Sequence, residues 1–295
     1  MATYVRSRAG RLVQGVRVRN LDRIVTLIAL GLTVAVIAPA VRDVLVVWTQ
    51  GPWGGVDYHQ YMDATKRWVE GGPFYEPYQL VGPYEVRYPA ILYPPVALWL
   101  FVPFLWLPAA LWWVIPGAAF GLMLYRLRPR AWSWPIMALL ASWTPSLMSI
   151  LTGNPGMWVA AAMAIGVVYA GPAVFVLIKP SLFPFALWGA WHRRWWLSLG
   201  LFALMAAPFG AMWRDWLIAI LNSRDGPWGG GLFYSAPFAA ILAIPLVAWL
   251  ARTTTTGVDA PSRAAAITRV LLNSAEGPGR DPAPQTPARA VSPEP

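Results

Sequence analysis

The stretch IVTLIALGLTVAVIAPAV, residues Ile24–Val41, decides the fold class because it contains no charged side chain. As an α-helix this stretch measures about 27 Å, close to the roughly 30 Å thickness of a bilayer's hydrocarbon core. It therefore predicts a first transmembrane helix. Arginines crowd the preceding segment, 1–23, and basic segments stay on the cytoplasmic side of a membrane. We expect this N-terminal segment to be cytoplasmic and the helix to end outside.

The composition extends this prediction to most of the chain. Its 295 residues are 57% hydrophobic and 12% charged, with 19 tryptophans, which is typical of a multi-pass membrane protein rather than of a soluble domain. Further apolar runs predict spans at 90–107, 109–125, 131–151, 156–170, 173–191, 195–212 and 235–251. The sequence thus predicts an all-α transmembrane bundle of seven to nine spans over residues 24–251. Its many prolines favour broken helices around a cavity.

The charges exclude some functions and leave one conflict. The net charge is +10, but the basic residues collect at the N-terminus, in short loops and in segment 252–295, so we expect no nucleic-acid partner. Segment 252–295 has the composition of a disordered cytoplasmic tail. Without cysteine or clustered histidine, we expect neither a metal site nor a cofactor. Strict alternation of spans places Arg126–Arg130 outside and His192–Arg194 inside. Either one predicted span is a re-entrant half-helix, or the first arginine group functions outside.

The outer loop, 42–89, contains GPWGGVDYHQYMDATKRWVEGG, residues Gly51–Gly72. Helical periodicity over Val56–Val69 predicts a helix lying on the membrane. One face carries Asp57, Tyr61, Ala64 and Trp68, and the opposite face carries His59, Asp63, Lys66 and Glu70. Asp57 either caps this helix or points into the bundle, where burial raises a carboxyl pKa toward that of a working base.

Three later residues are further candidates. Lys179 lies in the apolar run AVFVLIKPSLFPF, where an ammonium group either faces a cavity and binds an anion such as phosphate, or snorkels into lipid headgroups. Asn154, in TGNPG, offers hydrogen-bonding groups in what is otherwise a plain loop. Arg87, in VRYPAILYPP, fits an anchor within an aromatic belt.

Taken in order, the motifs GVDYHQYMDATKRWVEGGPFYEPY, YPPVALWLFVPFLWLP, GNPGMW and LIKPSLFPFALWGAWHRRWW resemble the GT-C superfamily of membrane glycosyltransferases. The resemblance is to the alpha-mannosyltransferase-like branch, which includes actinobacterial polyprenol-phosphate-mannose-dependent phosphatidylinositol mannoside mannosyltransferases. The matching positions are Asp57, Tyr61, Ala64, Gly71, Tyr75, Tyr93, Pro94, Pro95, Lys179, Pro180, Arg193 and Arg194. The chain has Gly153 and Asn154 where the branch has Gly-Gln, and it is shorter than most members.

The resemblance implies a GT-C-like fold and an enzyme of the bacterial cytoplasmic membrane. The enzyme would transfer a hexose, expected to be mannose in this branch, from a polyprenyl-phosphate donor to a lipid or glycan acceptor outside. The resemblance also implies that Asp57 is the general base, that Lys179 contacts the donor phosphate, and that the configuration of the sugar carbon is inverted. The candidate substrate-binding residues are Lys179, Tyr61, Arg87, Tyr93, Asn154 and His59.

Two other functions are compatible with the sequence. One is a non-catalytic polyprenyl-phosphate or lipid binder or transporter of the same fold, which the short chain favours. The other is a structural subunit of an envelope complex. Membrane lipids are expected partners in each case.

Overall fold

The computed structural model describes residues 2–50, 54–224, 230, 231 and 233–254 and is mostly helical, as predicted. The α-helices of this part of the chain are α1 (Ala2–Gln50), α2 (Val56–Val69), α3 (Pro77–Val81), α4 (Leu98–Phe101), α5 (Leu111–Leu127), α6 (Ser133–Ser142), α7 (Thr144–Leu151), α8 (Gly156–Tyr169), α9 (Phe183–Ala186), α10 (Arg193–Ala206), α11 (Met212–Asn222) and α12 (Ala239–Leu250). Short 3₁₀ segments are Pro95–Ala97, Val102–Leu105, Gly171–Ile178, Pro180–Leu182, Ala207–Phe209 and Ala236–Phe238. Most of the predicted tail lies outside the described residues.

Two very short strands add to the helices. β1 (Tyr84–Glu85) pairs in parallel with β2 (Ser223–Arg224), with Tyr84 opposite Ser223. The pair joins the loop that contains α2 to the segment after α11. Asn222 supports the same junction by donating a hydrogen bond to the carbonyl of Gln79 at 3.0 Å.

Among the described helices only α1 is by itself long and apolar enough to cross a membrane, over Leu21–Thr49. This span is longer than the predicted Ile24–Val41, because Arg42 and Asp43 pair with each other at 2.8 Å and the apolar sequence resumes after them. Two bent helix pairs, α6 with α7 and the segment Arg193–Phe209 with α11, would raise the number of spans to three. The other apolar helices have 10–17 residues, or about 15 to 26 Å of helix. Seven to nine spans are therefore not confirmed.

The helices run between two ends of the bundle, which we name the Asn154 end and the arginine end. At the Asn154 end, α7 ends and α8 begins, and Trp112 near the start of α5 donates a hydrogen bond to the Gly153 carbonyl at 2.7 Å. At the arginine end, α5 ends beside the end of α8, where Arg126 hydrogen-bonds the Tyr169 hydroxyl. α12 also ends here, since the Arg130 amide donates to the Ala251 carbonyl at 2.9 Å.

The predicted span 173–191 is replaced by a hairpin. Segment Gly171–Ile178 leads to Lys179 at the Asn154 end, and segment 180–186 leads back. The two ends of the hairpin meet, since a Cβ at Gly189 would lie 2.7 Å from the Cβ of Ala170. Prolines at the start of each arm favour these short segments over one long helix. The hairpin therefore enters and leaves at the arginine end.

The predicted span 90–107 is also broken, into Pro95–Ala97, α4 and Val102–Leu105. Both of its ends lie toward the Asn154 end: Tyr93 precedes it there, and Phe104 packs against Trp112 with 4.9 Å between ring centroids. With two apolar runs returning to the end they came from, Arg126–Arg130 and His192–Arg194 lie at the same end. This arrangement agrees with the first of the two expected explanations, a re-entrant segment.

Candidate functional site

Asp57 lies in the first turn of α2 but does not cap it. The helix begins after Gly55 without a side-chain cap, and the Thr152 carbonyl accepts hydrogen bonds from the amides of Asp57 and Tyr58 at 2.9 and 3.1 Å. The backbone of another loop thus satisfies the free N–H groups that a capping carboxylate would satisfy. The Asp57 carboxylate is left for contacts within the bundle, so the capping interpretation is wrong.

The exposed face of α2 matches the sequence prediction, and the predicted inner face matches it in part, since Asp57 and Trp68 are half-buried. Tyr58, Tyr61, Met62, Ala64 and Thr65 are buried, whereas His59, Asp63, Lys66 and Glu70 are exposed. Lys66 and Glu70 form only an exposed ion pair at 4.0 Å, of a kind that adds little stability. The carboxylates Asp57 and Asp63 therefore lie in different environments although they are six positions apart.

Asn154 connects the candidate base to the candidate anion-binding residue. Its amide nitrogen donates to Asp57 Oδ2 at 2.6 Å, and Thr152 Oγ1 donates to the same oxygen at 3.0 Å. Its Oδ1 accepts hydrogen bonds from Lys179 Nζ and the Tyr93 hydroxyl, both at 3.0 Å. The TGNPG segment is thus more than a plain connecting loop.

A glycine in an unusual conformation positions this asparagine. Gly153 has φ +72°, in the left-handed region that side chains rarely adopt. A Cβ at this residue would lie 2.7 Å from Trp113 Cζ2 and 2.9 Å from Tyr58 Cβ. The tight packing of α5 and α2 against the turn therefore requires glycine and fixes where Asn154 points.

Lys179 is at the tip of the re-entrant hairpin, between two 3₁₀ segments, and only 1% of its surface is exposed. Its ammonium nitrogen lies 4.4 Å from the centre of the Phe238 ring and 5.6 Å from that of Tyr93. Aromatic faces attract cations, and the Asn154 oxygen supplies a hydrogen bond. Lys179 does not snorkel to headgroups: it is held inside the bundle.

Most of the candidate residues line one cavity of about 190 Å³. Asp57, Tyr61, Arg87, Asn154 and Lys179 all line it, so five of the seven candidate residues come together. Tyr93 is 1% exposed and does not line the cavity, but its hydroxyl donates a hydrogen bond to Asn154, which does. His59 is exposed and is not part of the lining, because it lies on the wet face of α2. The structure therefore does not bring His59 to the site.

The electrostatics of Asp57 are those of a carboxyl in a confined site. Burial raises its pKa above the ordinary value of 3.8, while the hydrogen bonds from Asn154 and Thr152 and the charge of Lys179 oppose this change. Both hydrogen bonds end on Oδ2. Among the described groups, none hydrogen-bonds Oδ1, which leaves that oxygen to accept a proton from a ligand.

Sequence reasoning missed several residues of the lining. Thr152 is one of them, and its position two residues before Asn154 is the signal that could have identified it. Tyr234 and Phe238 come from the chain just before α12 and close the cavity beside Lys179. Aromatics at the start of an apolar run are also typical of a membrane belt, so their sequence carried no distinguishing signal.

No group of three or more histidine, aspartate or glutamate side chains within the described part of the chain could hold a metal ion. The cavity combines one carboxylate with one ammonium group, a pairing suited to proton transfer on one side and to anion binding on the other.

Comparison with known proteins identifies no relative of this arrangement. No protein-family model, curated protein or solved structure matches the chain. The residues that meet at Asn154, and the motifs that contain them, are therefore the features that indicate a function.

Proposed function

We propose that this chain is a multi-pass glycosyltransferase of the bacterial cytoplasmic membrane, with the GT-C-like fold that its motifs resemble. It transfers a hexose, mannose in the proposed form, from a polyprenyl phosphate to a lipid or glycan acceptor on the outer side. The supporting observation is that Asp57 and Lys179 hydrogen-bond opposite ends of one Asn154 side chain, at 2.6 and 3.0 Å, and line one cavity.

The two charged groups divide the proposed reaction between them. Asp57 accepts the proton of the acceptor hydroxyl, and the acceptor oxygen forms a bond to the anomeric carbon from the side opposite the phosphate. The bond from that carbon to the phosphate oxygen breaks, and its electron pair leaves with the polyprenyl phosphate. Lys179 neutralises the charge of this leaving group, and the sugar carbon is inverted.

The leaving group explains why one carboxylate is sufficient. A phosphate is a good leaving group without protonation, so the reaction requires a base on the acceptor side but no second carboxyl acting as an acid. The cavity contains that single carboxylate, Asp57. Asp63, six residues later, is exposed on the opposite face of α2 and offers a matched control.

The decisive experiment uses the purified full chain in detergent with a panel of polyprenyl-phosphate sugars, scored by loss of donor and formation of glycosylated product. We expect transfer from polyprenyl-phosphate-mannose, and a decrease of about 10² to 10⁴-fold in Asp57→Asn, the usual effect of losing a general base. Asp63→Asn should retain the wild-type rate. Wild-type transfer by Asp57→Asn would show that Asp57 is not the base.

A non-catalytic binder of polyprenyl phosphates is the second candidate. The observation in its favour is that Lys179, which lines the cavity, would bind a lipid phosphate whether or not Asp57 acts as a base. The same panel separates the two functions. Binding of the lipid phosphates without consumption of any donor, together with loss of binding in Lys179→Met, would favour the binder.

A further inference from the structure

The turns at the arginine end form a basic surface that the proposed reaction does not use. We define the arginine collar as Arg126, Arg128, Arg130, Arg193, Arg194 and Arg252. These residues come from three separate turns, after α5, before α10 and after α12. In the sequence the three turns are up to 126 positions apart, so only the fold creates the surface.

Contacts between the three turns make the surface continuous. Thr253 and Thr254 donate side-chain hydrogen bonds, both at 2.9 Å, to the carbonyls of Arg128 and Arg126. On the other side, Trp188 packs edge-on against Trp249 with 4.8 Å between ring centroids. The turn before α10 is therefore attached to the end of α12, which is attached in turn to the end of α5.

Four arginines of the collar have no acidic partner within the described part of the chain. Arg128, Arg130, Arg193 and Arg194 are exposed, and none of them takes part in an ion pair among the described residues. The three turns, at 125–134, 188–196 and 249–254, contain no aspartate or glutamate. By contrast, the three ion pairs of the described chain lie in α1 and in the loop that contains α2.

Exposed aromatic side chains accompany these arginines. They are Tyr125, Trp132, Trp134, Trp191 and Trp196, each at least 40% exposed. Tyrosine and tryptophan concentrate where hydrocarbon meets headgroups, because their rings are apolar and each carries a polar atom. Their position next to the arginines places the collar at the level of the lipid headgroups.

We propose that the arginine collar binds the phosphate groups of anionic phospholipids in the leaflet opposite the Asp57 cavity. Unneutralised arginines in an aromatic belt match such headgroups in charge, and guanidinium groups bind phosphate through paired hydrogen bonds. The collar and the cavity lie at opposite ends of α8, whose 14 residues measure about 21 Å. The collar therefore cannot belong to the Asp57 site.

The direction of α1 indicates that the collar and the N-terminal segment lie on the same side of the membrane. Trp48, near the end of α1, packs against Trp113 at the Asn154 end with 5.5 Å between ring centroids. Toward its beginning α1 runs away from that end, along α6, where Ser142 hydrogen-bonds the Val36 carbonyl. The predicted cytoplasmic side of the chain is thus the side of the collar, and anionic lipids of the cytoplasmic leaflet attract basic segments there.

The test measures lipid binding, so it does not depend on transferase activity. The purified full chain in detergent is titrated with short-chain phosphatidylglycerol or phosphatidylcholine, and binding is read from the thermal unfolding midpoint and from native mass spectrometry. Two matched double variants are compared, Arg128→Gln/Arg130→Gln in the collar and Arg214→Gln/Arg224→Gln, which removes two exposed arginines outside it.

We expect phosphatidylglycerol to bind more tightly than phosphatidylcholine. The collar variant should bind phosphatidylglycerol about 25-fold more weakly, at about fivefold for each arginine, and the control variant should bind it as wild type does. Arg128→Lys/Arg130→Lys should bind more tightly than the glutamine variant but more weakly than wild type, because it keeps the charge and loses the paired hydrogen bonds. If the collar variant is misfolded in phosphatidylcholine, Arg193→Gln/Arg194→Gln replaces it with the same expected loss.

Three outcomes would overturn the proposal: equal binding of the two lipids, an equal loss in the control variant, or full displacement of phosphatidylglycerol by millimolar inorganic phosphate. The last outcome would indicate a site for free anions rather than for lipid headgroups.

Discussion

Replacing Asn154 with alanine removes the side chain that joins Asp57 to Lys179. The amide nitrogen donates a hydrogen bond to the Asp57 carboxylate at 2.6 Å, and Asp57 lines the cavity. The amide oxygen accepts hydrogen bonds from Lys179 and Tyr93, both of which are 1% exposed. It also accepts from the Gly156 amide at 2.9 Å. Alanine leaves all four groups without this partner.

The magnitude follows from the two charged contacts. A hydrogen bond to a charged group contributes about 1.5 to 3 kcal/mol, and a neutral one about 1 kcal/mol. Water from the adjoining cavity can replace part of what is lost, so we take the lower value, about 1.5 kcal/mol, for each of the hydrogen bonds to Asp57 and Lys179. We therefore expect Asn154→Ala to lower the free energy of unfolding by about 3 kcal/mol. Asn222→Ala is the matched control. Its amide makes one neutral bond, to the Gln79 carbonyl at 3.0 Å, and its loss should cost about 1 kcal/mol.

The pH dependence of this defect has a definite sign. Burial already raises the pKa of Asp57 above its unfolded value, so the neutral carboxyl favours folding at low pH and that stability is lost as pH rises through the raised pKa. The hydrogen bond from Asn154 lowers the pKa, and Asn154→Ala therefore raises it further. The defect should be largest near pH 7.5 and should shrink toward pH 4.5.

The assay is thermal unfolding of both variants and wild type in detergent between pH 4.5 and 7.5. If transferase activity is found, the acid limb of its pH profile should also move to higher pH in Asn154→Ala. A defect no greater than that of Asn222→Ala, or one that grows on acidification, would refute the role given to Asn154.

The remaining predictions test other parts of the site by thermal unfolding in the same detergent. Asp57→Asn should be at least as stable as wild type at pH 7.5 and lose this advantage at pH 4.5, since it removes a buried carboxyl with a raised pKa, while the exposed Asp63→Asn should show no such change. Gly153→Ala should lower the unfolding midpoint, because φ is +72° and the added methyl group meets two side chains within 3 Å, whereas Gly121→Ala, with no atom within 4 Å, should not. Tyr93→Phe should cost about 1 kcal/mol, because it removes one hydroxyl hydrogen bond to the Asn154 oxygen; an unchanged midpoint would show that this bond does not stabilise the fold.

Local sequence patterns determined those features that depend on neighbouring residues. The periodicity of Val56–Val69 predicted α2 with its boundaries and its exposed face, whereas on the predicted inner face Tyr61 and Ala64 are buried and Asp57 and Trp68 are half-buried. The same pattern separated Asp57 from Asp63. Helical periodicity is a property of consecutive residues, so it can be identified without knowledge of what packs against the helix.

The apolar runs determined the class but not the path of the chain. Both 90–107 and 173–191 are apolar enough to predict spans, yet each returns to the end of the bundle from which it came. Length and hydropathy are the same for a crossing and for a hairpin of two short arms. The difference lies in the turn at Lys179, which is stabilised by Asn154 and by the Phe238 ring from distant parts of the sequence.

By itself, then, the sequence indicated a mostly helical chain with an apolar helix long enough to cross a membrane, the exposed face of α2 and a set of candidate residues. Only the tertiary structure decided that Asp57 is no helix cap, that Asn154 joins it to Lys179, that His59 lies outside the cavity, and that the arginines of three turns form one surface. The physical reason is that these results depend on contacts between residues up to 128 positions apart. Such contacts are set by how helices pack, and no local period records them.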